Sequence, residues 1–357
     1  MPAEDFHDKP FDDGTLTKLQ IFELYTKGWL PVFLSSEKPY YPALHIFDFF
    51  SGPGTDSQEV PGSPLRLLQQ LKTFNKLPGW RNVKTHVHFY DKSTKKIARL
   101  SKNIERYELS IPDVIFDIRP LRFEVAFDLC VPILRNPRAA KLVFIDQTGV
   151  GQVTDEVFLE LVRAPACDFL FFISSSTLDR FHDHPAIKQR IDRPDDYHYV
   201  HRAVLEYYRS LLPEGKRYFL APFSIKKGPN IYGIIFGSAH PLGIDKFLQV
   251  VWGKDEISGE ADFDINREKM RPEQVPLFPD LRPSKISTFE AALEQLIKDG
   301  RVLNELDVMQ VCFDHSMKRQ HAEPVLKRLK NAGVIKLDFR VPDIKRINNP
   351  RQILRMI

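Results

Sequence analysis

Four aspartates stand at or near the ends of short apolar runs, a position from which carboxylates bind cofactors or orient substrates. They are Asp48, Asp91, Asp117 and Asp146. If the runs are parallel strands, their carboxyl ends meet at one edge of a sheet, where the ligands of such sheets bind. A carboxylate there accepts hydrogen bonds from hydroxyl or amine groups. Each aspartate alone could be a cap or turn residue, but their shared placement predicts a ligand site.

The first apolar run, residues 45–50, leads into the glycine-rich turn Ser51-Gly52-Pro53-Gly54. Glycines permit positive φ and allow the backbone to approach a ligand closely. A helix is predicted to follow, with Ser63 as its N-cap and Pro64 at its first position. Strand, glycine turn and helix N-terminus together suit a nucleotide-type cofactor, although a Gly-x-Gly match alone is common by chance.

The second run, residues 83–90, ends at Asp91. A carboxylate at the end of the second strand suits the hydroxyl pair of a ribose. Its separation from Gly54 exceeds the usual spacing of roughly 20 residues, and the intervening loops could absorb the excess. Asp91 could equally cap the helix expected to start near Ser93, and the residues alone leave both roles open.

The elements that must position these residues read as a doubly wound α/β sheet. Asp117 lies near the end of a third strand at 114–118, Asp146 follows a fourth at 141–145, and a fifth covers 169–173. Apolar, non-alternating strands interleaved with helices indicate a parallel sheet. The helices are predicted at 93–106, 121–135, 153–163 and 199–212. A predicted hairpin of 217–221 and 232–237 then gives the ending typical of class I methyltransferases, a Rossmann-like fold.

Composition bounds the class of protein. The chain has 357 residues, of which 43% are hydrophobic and 27% charged, which indicates a globular protein long enough for two domains. The net charge of +4 permits nucleic-acid contact without arguing for it. Three widely spaced cysteines, Cys130, Cys167 and Cys312, fit a reducing cytoplasm without disulfides. The polar, acidic N-terminus does not read as a signal peptide, and no apolar stretch approaches a membrane span, so we expect a cytoplasmic protein.

Three stretches of sequence carry a resemblance to the three-Cys-motif partner proteins. They are Ile46-Phe-Asp-Phe-Phe-Ser-Gly-Pro-Gly54 with Gly62-Ser-Pro-Leu65, then Phe144-Ile-Asp-Gln-Thr-Gly149, and Ile235-Phe-Gly-Ser-Ala-His-Pro-Leu-Gly243 running into Trp252. The resemblance covers about residues 15–260. It implies an S-adenosylmethionine-dependent methyltransferase, distantly similar to adenine-N6 methyltransferases of ribosomal RNA. It also implies a partner with a three-cysteine motif that resembles radical-SAM proteins.

The resemblance further implies which residues contact the cofactor S-adenosylmethionine. The turn after the first strand lines it, Asp91 binds its ribose, and Asp117 lies near its adenine. We therefore assign cofactor binding to seven residues: Asp48, Phe49, Ser51, Gly52, Gly54, Asp91 and Asp117.

One motif departs from the family pattern. Family members usually carry Asp-Pro-Phe/Tyr-Gly where this chain has Asp146-Gln147-Thr148-Gly149. Asp146 and Gln147 are the candidate catalytic residues, because both can accept a hydrogen bond from an amine. The ring that would stack on a base is absent, and such stacking contributes about 1–3 kcal/mol. An active methyltransferase and a site that has lost catalysis, or handles a substrate other than a base, both remain open.

The chain is predicted to divide into three parts. Residues 1–262 form the methyltransferase-like domain with an N-terminal docking helix at 15–34, residues 263–283 form a proline-rich linker, and residues 284–357 form a winged helix-turn-helix. The last part reads as three short helices followed by a strand at 334–340. Pro324 indicates that the third of these helices starts late or kinks.

That third helix is basic, and its side chains suit phosphate and base-edge contacts. The candidate nucleic-acid-binding residues are Lys318, Arg319, Gln320, Lys327 and Arg328. Winged helices also serve as protein-docking modules, so DNA or RNA contact and protein docking stay as equal alternatives.

Two other patterns are discounted. His182, His184, His198 and His201 lie near aspartates but lack ligand spacing on one element, so we predict no metal site. The serines at 174–176 lack the Gly-x-Ser-x-Gly elbow of a hydrolase. Three functions remain. They are a methyltransferase acting on nucleic acid with a three-cysteine-motif partner, a catalytically inactive scaffold with the same fold, and a winged-helix regulator that binds nucleic acid.

Overall fold

A computed structural model describes residues 8–146, 153–173, 200–227, 230–263 and 284–356. The chain forms two units, Met1–Lys246 and Phe247–Ile357. The predicted linker at 263–283 lies, except for residue 263, outside the described residues. No helix in the described ranges is long and apolar enough to cross a membrane.

Strands and helices alternate through most of the chain up to the second unit. The elements in chain order are α1 (Asp13–Leu34), β1 (Ala43–Asp48), α2 (Ser63–Phe74), β2 (Lys84–Asp91), α3 (Thr94–Arg106), β3 (Val114–Pro120), α4 (Phe123–Leu134), β4 (Ala139–Ile145), α5 (Asp155–Arg163), β5 (Cys167–Ile173), α6 (Val200–Ser210), β6 (Phe219–Lys227), β7 (Asn230–Ser238) and α7 (Pro241–Lys254).

Seven strands form one sheet in the order β3-β2-β1-β4-β5-β7-β6. Strands β1 to β5 run parallel, whereas β7 is antiparallel to both of its neighbours, β5 and β6. The order of winding reverses at β1, which has β2 on one side and β4 on the other. This α/β sheet with its closing hairpin confirms the predicted architecture and is consistent with a Rossmann-like methyltransferase fold.

The central strands are buried because their apolar side chains point to both faces of the sheet. Every residue of β4 is buried, and β1 is buried from its second residue onward. One face packs a cluster rich in aromatic side chains, including Phe47, Phe49, Phe123 and Phe127. This packing holds the carboxyl ends of the central strands in a fixed relation to one another.

Helix α1 packs on the sheet. Its buried side chains include Phe22, whose ring stacks on Phe144 of β4 at 4.2 Å between centroids. Tyr25 Oη and Trp29 Nε1 donate hydrogen bonds of 2.7 and 3.0 Å to Asp168 Oδ2 on β5. Because two donors of one helix share one acceptor, the position of α1 along the sheet is fixed.

The predicted N-cap of α2 is wrong by one residue. The helix begins at Ser63, Gly62 is its N-cap, and Pro64 lies at the second position. Ser63 lowers the pKa of Asp48, the last residue of β1, through a hydrogen bond across the turn.

The second unit contains α8 (Lys285–Lys298), α9 (Glu305–Asp314) and α10 (Glu323–Asn331), with the two-residue strands β8 (Ile335–Lys336) and β9 (Leu354–Arg355). Helix α10 follows a 3-10 turn at Arg319–Ala322 and has Pro324 in its first turn, which confirms the predicted late start. The predicted strand at 334–340 is wrong in extent, because only two of its residues pair, antiparallel to β9.

Candidate functional site

The glycine turn after β1 is anchored to both neighbouring strands. The Phe49 amide donates to the Phe144 carbonyl of β4 at 3.2 Å, and the Ser51 amide and hydroxyl donate to the Tyr90 carbonyl of β2 at 2.9 and 3.1 Å. Gly52 and Gly54 have φ of 59° and 85°, angles that residues with a side chain rarely adopt. The turn therefore lies where the sheet reverses its winding order, the position at which ligands of doubly wound sheets bind.

Gly54 is required for packing as well as for its backbone angle. A Cβ at this position would lie 2.8 Å from Leu100 Cδ1 of α3 and 3.3 Å from Leu65 Cγ of α2. The Gly54 carbonyl accepts a hydrogen bond of 2.8 Å from the Gly62 amide, which closes the loop between β1 and α2. Close packing and this hydrogen bond thus fix the position of the loop beside α2.

A cavity opens beside this turn at the carboxyl edge of β1 and β4. Its walls come from the start of α1, the glycine turn, the start of α2 and the residue after β4. The lining residues are Phe11, Thr15, Leu19, Phe50, Ser51, Gly54, Gly62, Ser63 and Asp146. Ser51, Gly54 and Asp146 were predicted from the sequence, whereas the wall formed by α1 was not.

Asp48, the last residue of β1, comes shortly before two lining residues of this cavity, Phe50 and Ser51, and is fully buried. Its Oδ1 accepts from the Phe50 amide at 3.1 Å, and its Oδ2 has no hydrogen-bond partner. Burial raises the pKa of Asp48 to about 7, and the nearby charge of Asp146 adds to this rise. Hydrogen bonds from Ser63 and Phe50 and the charge of Lys18 lower the pKa but do not cancel the effect of burial. A buried carboxyl oxygen without a partner is costly, so a donor or cation placed beside the glycine turn would stabilise this atom.

Asp91 closes β2 at the same edge and is half-buried. Its Oδ1 accepts from the Ser93 amide at 2.8 Å, while Ser93 itself caps α3. The predicted cap role of Asp91 is wrong, because Ser93 is the N-cap and Asp91 only accepts from the Ser93 amide before the helix. Its position at the end of β2 is the one expected for the ribose role. The cofactor contact itself stays a prediction.

The expected edge position of Asp117 is wrong. Asp117 lies within β3, three residues before its end, and is level with His88 of β2. Its carboxylate accepts hydrogen bonds of 2.6 and 2.7 Å from Arg119 and a short one from Tyr90 Oη. Burial alone would raise the pKa of Asp117, but hydrogen bonds from His88, Arg119 and Tyr90 outweigh it and hold the pKa well below its usual range. Strand β3 continues through Arg119 and Pro120, because a partly exposed strand tolerates polar residues. Asp117 therefore does not lie at the strand end.

Phe50, to which the sequence analysis gave no role, lines the cavity, whereas the predicted cofactor contact Phe49 does not. Phe49 is 1% exposed and packs in the aromatic core against Phe123 and Phe127, so its ring faces away from the cavity. The ring of Phe50 lines the cavity instead and stacks on Phe123 at 5.3 Å. The alternation of side chains at the strand end decides which of the two faces a ligand.

The candidate catalytic residue Asp146 has an internal partner that the sequence did not reveal. Lys18 Nζ of α1 makes a short ion pair with Asp146 Oδ2, and the two side chains are 6% and 17% exposed. The same ammonium lies 4.6 Å from the ring centroid of Phe172. Lys18 therefore places an amine between a carboxylate and an aromatic face. The other candidate, Gln147, lies outside the described residues.

The candidate nucleic-acid-binding residues of the second unit do not share one free surface. Arg328 donates to Glu294 at 2.8 Å, Gln320 accepts from Gln249 at 3.1 Å, and Arg319 donates to the Pro342 carbonyl. Lys318 Nζ lies 5.8 Å from the ring of Trp252, and Lys327 is exposed. Internal contacts thus hold most of the basic groups that the sequence pattern assigned to a polymer.

Comparisons with known proteins give distant likenesses to solved structures. No family model matches the chain, and no curated protein matches it. Among solved structures it is similar to an O-methyltransferase from Bacillus cereus in complex with SAH, with 13% identity and a TM-score of 0.36, covering 65% of this chain and 83% of that one. It is also similar to the O-methyltransferase TomG from Streptomyces achromogenes in complex with SAM, with 12% identity and a TM-score of 0.34, covering 64% and 89%. These scores describe a distant likeness in fold and assign no function.

Proposed function

We propose that this protein is an S-adenosylmethionine-dependent methyltransferase that binds its methyl donor in the cavity beside the glycine turn. The observation that carries the proposal is the orphaned, fully buried carboxyl oxygen of Asp48 at the point where the strand order reverses. S-adenosylmethionine has a cationic sulfonium and an ammonium group, and it supplies an electrophilic methyl group when bound. The carboxylates of Asp146 in the cavity wall and of Asp48 beside the turn would complement those charges.

The residues present fit the donor in three places. Asp48, with one unpartnered oxygen, would face a cationic or N–H group of the donor. Asp91 at the end of β2 would accept from the ribose hydroxyls while keeping its contact with the Ser93 amide. Phe50, on the cavity wall, would pack against an apolar part of the ligand. Asp146 would accept a hydrogen bond from the substrate amine and so orient it toward the methyl group.

A catalytically inactive scaffold is the second candidate, and the ion pair of Lys18 with Asp146 favours it. The Lys18 ammonium occupies the acceptor that a substrate amine would need, and Phe172 contacts it as a ring would contact a base. In this case the cavity still binds the donor or its demethylated product, but no methyl group leaves. Donor binding and methyl transfer are therefore separate questions for this chain.

The second unit is proposed to be a winged helix. Three helices, α8 to α10, are followed by the antiparallel ribbon of β8 and β9, which would form the wing. We also propose that the protein contacts DNA or RNA and binds a partner with a three-cysteine motif. Its proposed location is the cytoplasm. The three cysteines lie in described residues and are buried thiols, which suits a reducing compartment. The exposed Lys327 and Lys330 of α10 are the side chains we assign to phosphate contact.

Two experiments test this function in sequence. Calorimetric titration with S-adenosylmethionine and S-adenosylhomocysteine should give saturable heat for one site. Incubation with methyl-labelled donor and total RNA, DNA or protein then asks whether label is transferred. Transfer supports the enzyme, binding without transfer favours the scaffold, and absence of binding contradicts both.

A further inference from the structure

Three histidines cluster on the face of the sheet opposite Asp48. His45 of β1 is paired in register with His86 of β2, and His88 lies two residues further along β2, on the same face. The rings of His45 and His86 stack with 4.3 Å between their centroids. His45 and His88 are buried, and His86 is half-buried. None of the three belongs to the cavity beside the glycine turn.

Ring nitrogens of these histidines converge. One nitrogen from each lies within 4.8 Å of the others, and His45 Nδ1 is 3.0 Å from His88 Nε2. A tetrahedral Zn²⁺ with Zn–N bonds of about 2.0–2.1 Å holds its nitrogens roughly 3.3–3.5 Å apart. The separations of 3.0 Å and up to 4.8 Å bracket this range, so shifts of the ring nitrogens by about an ångström would bring them to coordination distance.

A carboxylate stands behind one of the rings. The second nitrogen of His88, Nδ1, lies 3.3 Å from Asp117 Oδ2. Asp117 is itself held by Arg119 and by Tyr90 Oη. Metal-binding histidines usually donate their other ring N–H to such a carboxylate, which fixes the tautomer and the ring orientation. This contact leaves His88 Nε2 with a lone pair directed at the cluster.

The surroundings suit a metal that is reached from one side. The ring of Phe47 stacks on His88 at 4.4 Å and closes the interior side. The half-buried His86 leaves an approach from solvent. The nearest cation on β4 is Lys141, which is level with His45. Its ammonium donates to the carbonyls of Asn136 and Ala139 at 2.7 and 3.0 Å, on the amino-terminal side of the cluster.

We propose that His45, His86 and His88 form a Zn²⁺ site, with Asp117 as a positioning residue for His88. Three imidazoles fill three tetrahedral positions and leave the fourth for water or a small anion. The site is separate from the proposed methyl-donor cavity and does not depend on it. The same residues without metal form a hydrogen-bonded histidine stack, which is the alternative that the experiment must exclude.

The test uses the full chain, stripped with a chelator and titrated with ZnCl₂ against a chromophoric zinc indicator. We expect one equivalent of Zn²⁺ to bind, with a dissociation constant below about 1 μM, and Co²⁺ to give the visible absorption of tetrahedral coordination. H86A removes a half-buried ligand and should weaken Zn²⁺ binding at least about 100-fold. D117N should weaken it about 10–100-fold, as expected for an outer partner. H315A, which removes an exposed histidine of the second unit, should leave the affinity unchanged.

A thermal readout separates loss of the site from loss of folding. Zn²⁺ should raise the Tm of the wild-type chain and of H315A, but should leave the Tm of H86A unchanged. The wild-type Co²⁺ spectrum decides the question even if H86A does not fold. Absence of saturable Zn²⁺ uptake, a Co²⁺ spectrum without tetrahedral bands, or equal affinity of H86A and the wild type would overturn the proposal.

Discussion

Lys18 of α1 and Asp146, the residue after β4, form an ion pair that joins the first helix to the carboxyl edge of the sheet. The two residues are 128 positions apart in the chain. Lys18 is thus the partner of the candidate catalytic carboxylate and belongs to the helix that supplies Thr15 and Leu19 to the cavity wall. The folding of α1 onto the sheet and the chemistry of the site depend on the same contact.

The first prediction concerns the strength of this pair. Removing one partner leaves the other charge poorly solvated, and such losses cost about 3–5 kcal/mol in buried pairs. Because Asp146 retains some exposure, we expect K18M and D146N each to lower the free energy of unfolding by about 2–3 kcal/mol. The double variant should lose less than the sum of the single losses, by at least about 1 kcal/mol in urea denaturation. Additive losses would show that the pair contributes little.

The second prediction concerns α1 and Asp168. Tyr25 and Trp29 both donate to this half-buried carboxylate. D168A leaves two buried donors without an acceptor, each of which costs about 1–3 kcal/mol. We expect D168A to lower the free energy of unfolding by at least about 3 kcal/mol, and Y25F by about 1 kcal/mol. Equal stability of D168A and the wild type in urea denaturation would contradict the assigned role of this contact.

The third prediction follows from the pKa of Asp48. Its folded-state pKa of about 7 lies above the usual 3.8, so the folded protein retains a proton that the unfolded chain releases. Its contribution to stability is fully present below about pH 4 and is lost as the pH rises toward 7, at about 1.4 kcal/mol per pH unit. D48N should abolish this slope and be more stable than the wild type at pH 8.

The control for Asp48 is D128N, which changes an exposed carboxylate on α4. Urea denaturation at pH 5, 6, 7 and 8 should give the same slope for D128N and the wild type. If D48N keeps the wild-type slope, then a different group is responsible and the buried carboxyl of Asp48 is ionised throughout this range.

The fourth prediction concerns nucleic acid and the second unit. If Lys327 and Lys330 neutralise phosphates, K327A/K330A should weaken binding to RNA or DNA in gel shifts. It should also lower the slope of log affinity against log salt by about 1 for each lysine. The control K95A/K102A removes the same charge from exposed positions of α3. Equal losses in both double variants would indicate a general charge effect, and absence of any shift would favour protein docking.

The sequence predicted the sheet because its central strands are continuous apolar runs. Asp48 and Asp91 close such strands and Asp146 follows one, so their positions at one edge could be inferred from strand ends alone. Asp117 was misplaced because the apolar run ends at Ile118, whereas β3 continues for two more residues on a partly exposed strand. Hydrophobicity marks buried strand ends more reliably than exposed ones.

Contacts between residues that are distant in sequence could not be predicted from the hydrophobic pattern. Nothing near Lys18 indicates that its ammonium meets Asp146 across the fold, and nothing near Arg328 indicates Glu290 and Glu294 of α8. His86 and His88 lie on one face of β2, but the sequence analysis did not single them out. The third member, His45, becomes adjacent only once the register of β1 and β2 is known.

Binding of the methyl donor is the central claim, and calorimetry of the wild type, D91A, D91N and D128A with S-adenosylmethionine tests it most directly. We expect saturable binding by the wild type and D128A, and at least tenfold weaker binding by D91A, a loss of about 1.4 kcal/mol. D91N keeps an acceptor for the Ser93 amide and should fold as the wild type does while still binding more weakly. Absence of saturable heat from the wild type, or equal affinity of D91A, would contradict the account.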